Sequence, residues 1–89
     1  MRRAARLDVV QPEIVDGLLA MGYKLQSLSA VGMGVPDLLV KKPDGTLMLL
    51  EVKTPGGTLT PAQKRWMAWW GPVPVVETLD EAIIALERT

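Results

Sequence analysis

Two short apolar runs joined by a turn constrain the fold of this chain more than any other stretch. The runs are residues 38–40 and 47–50, and the turn between them, residues 42–45, has the sequence KPDG. Apolar runs of this length that are bounded by Pro, Asp and Gly predict buried strands. We therefore expect a β-hairpin that brings the residues before position 38 next to the residues after position 50.

The length of the turn decides which side chains share a face of this hairpin. Asp37 and Glu51 each lie seven residues from Asp44. A three-residue loop therefore places them opposite each other, with Cβ atoms about 5 Å apart. A two-residue loop instead pairs Asp37 with Val52, which points to the other face. Lys53 shares the face of Glu51, because residues two apart on a strand point the same way.

Adjacent carboxylates at the end of a buried hairpin repel each other unless a positive charge lies between them. A lysine or a divalent cation supplies that charge. Mg²⁺ takes one or two carboxylates, keeps several waters and completes its shell with phosphate oxygens. The alternative is that Asp37 caps a turn while Glu51 and Lys53 lie at a solvated strand end. Spacing alone leaves both interpretations open.

Composition narrows the kind of site. The chain has 89 residues, 48% of them apolar, and we expect residues 1–89 to form one domain. It contains no cysteine and no histidine, so a metal would be held by oxygen, which favours magnesium or manganese over zinc. A net charge of zero argues against a simple polycationic nucleic-acid binder. No apolar run approaches about 20 residues, and we expect a cytoplasmic protein.

The first helix is predicted within residues 8–21. Ile14, Val15, Leu18 and Leu19 recur at helical spacing, and Gly22 stands where a C-terminal cap belongs. Pro12 is expected in the first turn, because a deeper proline loses a hydrogen bond and clashes with the preceding turn. Glu13 would then either complement the helix dipole or add a third carboxylate to the site. The basic residues before this helix are a frayed terminus or an arm that reaches phosphates; they are Arg2, Arg3 and Arg6.

Two further helices begin with capping signals. Thr60, Pro61 and Gln63 form a capping box with proline at the first helical position, and Thr78 with Glu81 repeats the pattern. The tryptophans of the first of these helices share one face, which favours a core or dimer contact over base stacking; they are Trp66, Trp69 and Trp70. Strands are expected at residues 23–30 and 73–76. The predicted order is α-β-β-β-α-β-α, an α/β fold with one mixed sheet flanked by helices.

The pair Pro36-Asp37 followed by Glu51-Val52-Lys53 resembles the signature of the PD-(D/E)XK nucleases, which have the restriction-endonuclease-like fold. Within that superfamily the chain is similar to the small VRR-NUC domains of phage and bacteria. The similarity covers nearly the whole chain, and it includes Asp8, Gln11, residues 13–15, Gly22, residues 34–40, 51–53 and 59–63, and the tail with residues 80–82.

The resemblance implies roles for individual residues. Asp37, Glu51 and the backbone carbonyl of Val52 become ligands of Mg²⁺ or Mn²⁺, and Glu13 becomes an outer acidic contributor, directly or through water. Lys53 either holds the attacking water or acts as its base. The remaining candidates, for contact with phosphate or for support of the metal ligands, are Gln63, Gln11, Lys64 and Arg65.

The implied function is metal-dependent hydrolysis of DNA phosphodiester bonds, in a bacterial cell or a phage-infected host. Family members of this size resemble Holliday junction resolvases that act as homodimers, so branched DNA is the expected partner. The alternatives are a nuclease that prefers flaps or other branched DNA, and a non-catalytic module with a nuclease fold that binds DNA or protein.

Overall fold

The computed structural model describes residues 2–88, with side chains described for residues 11–88. Three helices and four strands follow one another in the predicted order, which confirms the α/β class. They are α1 (Arg2–Ala20), β1 (Lys24–Ser27), β2 (Leu38–Lys41), β3 (Leu47–Val52), α2 (Pro61–Trp70), β4 (Val75–Val76) and α3 (Leu79–Glu87). No helix in the described part is long and apolar enough to cross a membrane.

The strands form one mixed sheet in the order β1-β2-β3-β4. Strand β2 is antiparallel to both β1 and β3, and β3 runs parallel to β4. Leu38 pairs with Leu50, and Lys41 pairs with Leu47. The N–H of Lys42 donates to the carbonyl of Thr46 at 2.8 Å, and Gly45 has a φ of 94°. Of the two loop lengths considered, the turn therefore has the three-residue one that the acidic site requires, and it ends in a left-handed glycine as such hairpins do.

The two faces of the sheet have different neighbours. Even-numbered residues of β2 and β3 are buried against α1 and α3, and with Ile14, Leu18, Ala82 and Leu86 they form the core. Odd-numbered residues point to the opposite face because side chains alternate along a strand. Helix α2 lies across that second face, with its first turn near Glu51 and its last residue, Trp70, near Leu39 and Leu49.

The beginning of α1 differs from the prediction. The helix starts at Arg2 rather than near Asp8, so Pro12 lies inside it and Glu13 is not in the first turn. An interior proline removes one helical hydrogen bond and crowds the carbonyl four residues earlier, at a cost of about 3 kcal/mol. The preceding residues include Ala4, Ala5 and several arginines, which favour helix strongly enough to continue the element upstream. The side chains of the predicted basic arm lie outside the described residues.

Other boundaries are shorter than predicted. Strand β1 begins after Tyr23, whose ring is buried and whose hydroxyl donates to Glu87 of α3. Strand β4 contains two residues rather than four, following Pro74, which has no N–H to pair. At α3, Thr78 caps the helix, but the carboxylate of Glu81 accepts from the N–H of Glu77 and not from Thr78.

The tryptophan stripe is not part of the core. No residue of α2 is buried, and Trp69 and Trp70 are 76% and 57% exposed. The three indoles contact one another, with Trp66 stacked on Trp70 at a centroid distance of 5.1 Å. This corrects the core interpretation of the stripe, and leaves a contact with another molecule as the alternative.

Candidate active site

The two predicted acidic residues meet at one end of the hairpin. Asp37 immediately precedes β2, and its carbonyl accepts a 2.8 Å hydrogen bond from the N–H of Leu28. Its Oδ2 atom accepts another 2.8 Å bond from the N–H of Val52. Because the N–H and C=O of one strand residue point to the same side, the carbonyl of Val52 also faces Asp37. The backbone thus places the carboxylate of Asp37 and the carbonyl of Val52 on the same side of β3.

Glu51 has an unfavourable environment for a carboxylate. Its side chain is 1% exposed, and burial raises its pKa to about 7, with the charge of Asp37 adding to the effect and that of Lys53 opposing it. Its Oε1 atom is buried and has no hydrogen-bond partner among the described residues. Buried polar atoms without partners are rare in folded proteins. A cation beside Glu51 would satisfy this oxygen and offset the repulsion from Asp37.

Lys53 and Gln63 complete the cluster. Nζ of Lys53 donates to Oε1 of Gln63 at 2.7 Å and lies 3.5 Å from Oε2 of Glu51. Nε2 of Gln63 donates to the same Oε2 atom at 2.9 Å. One amide therefore holds the lysine with its oxygen and the glutamate with its nitrogen.

The start of α2 fixes the orientation of that amide. Oε1 of Gln63 also accepts from the N–H of Thr60 at 2.9 Å, and the hydroxyl of Thr60 accepts from the N–H of Gln63 at 3.1 Å. This is the predicted capping box. Since the Thr60 N–H requires an acceptor, the amide oxygen must face Thr60 and the nitrogen must face Glu51.

A close backbone contact docks the same turn against the loop before Asp37. A Cβ atom on Gly34 would lie 2.2 Å from the carbonyl oxygen of Ala62 and 3.0 Å from the nitrogen of Gln63. Gly34 also has a φ of 84°, which disfavours any side chain. Only glycine allows the loop and α2 to approach this closely.

These groups line a cleft of about 310 Å³. Its walls are the end of β3, the loop at residues 54–58 and the start of α2 at Thr60 and Gln63. The donors suit a hard cation, because two carboxylates and a backbone carbonyl are all oxygen and leave positions for water or phosphate oxygens. No three acidic side chains within residues 11–88 converge on one possible metal position.

The other predicted site residues lie elsewhere. Glu13 is exposed on α1 and is not grouped with Asp37 and Glu51. Gln11 is half-buried on the same helix, and Lys64 and Arg65 are exposed on α2; none of the three lines the cleft. Sequence reasoning did not identify the 54–58 loop as a wall of the site. The available signal is the pair Gly56-Gly57, which begins three residues after Lys53.

One of three comparisons with known proteins found a match. The model of one family, the VRR-NUC domain, matches residues 3–69 and so spans the first helix, the hairpin, the cleft and most of α2. No curated protein and no solved structure matches the chain.

Proposed function

The chain belongs to the VRR-NUC family within the PD-(D/E)XK superfamily, which indicates a nuclease-type function, and we propose that it is a metal-dependent DNA endonuclease. One observation carries the proposal. Glu51 is buried beside Asp37 with an unpartnered oxygen, and Lys53 is held 3.5 Å from the other oxygen. A purely structural core would not benefit from such a charge arrangement, because it costs stability unless a ligand compensates for it.

Asp37, Glu51 and the carbonyl of Val52 are the groups that would hold Mg²⁺ or Mn²⁺. A bound ion would neutralise phosphate charge, lower the pKa of a bound water and stabilise the leaving oxygen. The protein keeps these ligands in position without the ion, through the Val52–Asp37 and Gln63–Glu51 hydrogen bonds. Such preorganisation reduces the rearrangement needed when metal and DNA bind.

Lys53 is the residue we assign to the attacking water. An ammonium has three donors, and two of them are directed at Gln63 and Glu51. The third is available for a water or a phosphate oxygen in the cleft. The first turn of α2 borders the same cleft, and the N-terminus of a helix favours anionic groups such as phosphate.

The substrate we propose is branched DNA, most specifically the four-way Holliday junction cut by a homodimer. Two sites related by a two-fold axis suit paired cuts on such a junction. A preference for flaps or other branched DNA is the nearest alternative. The other class of function is a non-catalytic module that binds DNA or protein, but it does not account for a lysine held beside the buried carboxylate of Glu51.

An exposed apolar surface is suitable for binding the second copy of the chain in the proposed homodimer. We define the tryptophan surface as Trp69, Trp70, Leu47 and Val75, all exposed, with the apolar groove of about 400 Å³ beside them. A tryptophan side chain can bury about 150–250 Å², so Trp69 and Trp70 together could supply a large part of the roughly 800 Å² that each partner buries in a standard interface. Projecting indoles next to a groove are also self-complementary, as a two-fold interface requires.

A cleavage assay tests the function. The protein is incubated with Mg²⁺ or Mn²⁺ and a four-way junction, a flap, linear duplex and single-stranded DNA, beside Asp37→Ala and Lys53→Ala. We expect the wild type to cut, with branched DNA preferred, and both variants to be inactive. If the wild type cuts none of these DNAs, the enzyme proposal is wrong. If it cuts linear duplex as fast as junctions, only the preference for branched DNA is wrong.

Metal binding and assembly have separate readouts. Mn²⁺ should raise the thermal midpoint of the wild type and not that of Asp37→Ala, whereas a fold with merely solvated charges predicts no shift. Light scattering should give the mass of a dimer. A strict monomer would remove paired cutting from the proposal and leave single-site cleavage untouched.

A further inference from the structure

The loop that delivers Asp37 carries an apolar side chain that the fold itself does not use. Met33 is 83% exposed, the highest value among the large exposed apolar residues of the described chain, and it lies at a φ of 57°. A left-handed conformation costs a residue with a side chain about 1–2 kcal/mol. Glycine would remove that cost, and the exposed side chain gives the core nothing in return.

Backbone hydrogen bonds hold the loop in a defined conformation. Its base is closed by the hydrogen bond from Leu28 to the carbonyl of Asp37, and internal turns join Val31 to Leu28 and Val35 to Gly32. Met33 sits between these turns in a run of three left-handed residues. Its position is therefore fixed by the backbone, so the side chain projects from a rigid support.

The loop that carries Met33 also contacts the helix beside the cleft. Gly34, the next residue, packs against the first turn of α2, where Gln63 holds Glu51 and Lys53. Asp37 follows Met33 by four residues. Met33 thus lies next to the contact between this loop and the first turn of α2, and the first turn of α2 borders the candidate active site.

The loop carries no negative charge that would repel DNA. From Leu25 to Pro36 the chain contains no charged residue. Apolar side chains, methionine among them, insert between base steps of bound DNA and hold them apart. Unstacking an intact step costs a few kcal/mol, so an opened branch point accepts such a side chain more easily than a continuous duplex does.

We infer that Met33 is a wedge that enters the base stack at the branch point of the bound DNA, and so favours branched over linear substrates. The inference rests on the proposed DNA-cleaving function, and it assigns the preference for branched DNA to this loop. Val31, exposed on the same loop, widens the apolar tip. The reacting groups remain Asp37, Glu51 and Lys53, so Met33 affects which DNA is held and not the chemistry.

The test measures binding in a cleavage-deficient Lys53→Ala background, so that the DNA stays intact. The probe is a four-way junction with 2-aminopurine at the branch point, whose fluorescence rises on unstacking, with a linear duplex of the same arm sequence beside it. The added substitutions are Met33→Gly and Met33→Leu. The control is Met21→Ser, which removes a 46% exposed methionine near the hairpin turn, at the other end of the sheet.

We expect Met33→Gly to weaken junction binding about tenfold and to abolish the fluorescence rise, with duplex affinity unchanged. Its thermal midpoint should not fall, because glycine suits this backbone conformation. Met33→Leu and Met21→Ser should behave like the background protein. Retention of the fluorescence rise by Met33→Gly overturns the inference, and so does an equal loss of junction and duplex affinity.

The outcome is separable from that of the nuclease proposal. Failure of the chain with native Lys53 to cut DNA would remove the enzyme while leaving a branch-binding wedge measurable. If the protein cuts DNA normally and Met33→Gly does not change its preference for junctions, only the proposed role of Met33 is wrong. If the background protein binds no branched DNA, the wedge is excluded directly.

Discussion

Nζ of Lys53 donates a 2.7 Å hydrogen bond to the amide oxygen of Gln63, a side chain that also caps its own helix. Through that single amide, the position of α2 and the position of the lysine are coupled. Displacement of the first turn of α2 would move Lys53 relative to Glu51. The cap and the site can nevertheless be separated experimentally, because the hydroxyl of Thr60 takes part in the cap and not in the contacts to Lys53 and Glu51.

Gln63→Ala should lose activity out of proportion to stability. It removes the side-chain half of the capping box and the contacts to Lys53 and Glu51, so we expect a loss of about 1 kcal/mol in unfolding free energy and about 10²-fold in kcat. Thr60→Ala removes the hydroxyl cap at a similar cost in stability but keeps the backbone N–H that orients the amide. Its kcat should stay within about tenfold of wild type. Similar kcat losses in both variants would mean that Gln63 acts only through the helix.

Glu51→Gln should stabilise the metal-free protein while abolishing cleavage. The folded pKa of about 7 exceeds the ordinary 4.5, so the folded state binds more protons than the unfolded state between these values. Stability is therefore greatest below about 4.5 and is lost as the pH rises through 7. Glutamine does not titrate, and at pH 8 in EDTA the variant should be more stable by about 1–3 kcal/mol.

The measurement for this variant is denaturant unfolding in EDTA at pH 5 and pH 8. The gap between wild type and Glu51→Gln should be small at pH 5 and large at pH 8. Glu13→Gln, which changes an exposed acid on α1, should follow the wild type at both values. A gap that does not depend on pH would show that ionisation of the buried Glu51 is not its source.

Two glycines in one loop should respond differently to the same substitution. Gly32→Ala introduces a Cβ into open space at a φ of 72°, so we expect a cost of about 1–2 kcal/mol from strain alone. Gly34→Ala adds a contact of 2.2 Å with the backbone of Ala62, which must move. It should cost about 1–3 kcal/mol more and lower kcat, because α2 carries Gln63. Equal thermal shifts and equal activities would contradict the docking role of Gly34.

Removal of the indoles should dissociate the proposed dimer. Trp69→Ser combined with Trp70→Ser replaces most of the tryptophan surface with polar groups, while no residue of α2 is needed in the core. We expect light scattering to report a monomer that retains single cuts but not paired cuts on a junction. Leu19→Ser, which removes an exposed apolar residue of α1, should leave the mass unchanged. A dimer that persists in the tryptophan variant places the interface elsewhere.

The parts of the fold that could be predicted from sequence depend on local rules. The pairing in the hairpin followed from the position of Asp44 and the alternation of side chains, and the capping box at Thr60 from its own four residues. The start of α1 could not be predicted this way, because tertiary burial of Ile14 and Leu18 supports a helix that tolerates an interior proline. The left-handed backbone conformation of Met33 could not be predicted either. It is imposed by contacts within the loop, and a residue with a side chain ordinarily avoids it.

The site was predictable to a similar degree. The proximity of Glu51 and Lys53 followed from strand geometry, whereas the unpartnered oxygen of Glu51 depends on how deeply the helices bury the end of β3. Glu13 was assigned to the site on the assumption that α1 began close to it. With a longer helix, that residue lies several turns inside the element and faces solvent.

The three-residue turn at the far end of the hairpin imposes a counting rule on any change in its length. An insertion of two residues at Pro43, Asp44 and Gly45 keeps Asp37 opposite Glu51, since both still lie equally far from the middle of the loop. An insertion of one residue keeps the pair aligned if it forms a four-residue loop or a bulge, and would turn one carboxylate to the core side only if the strands slipped by one position. This turn is exposed and lies at the opposite end of the strands from the cleft, so a fused peptide of suitable parity could be accommodated there while the acidic pair stays aligned.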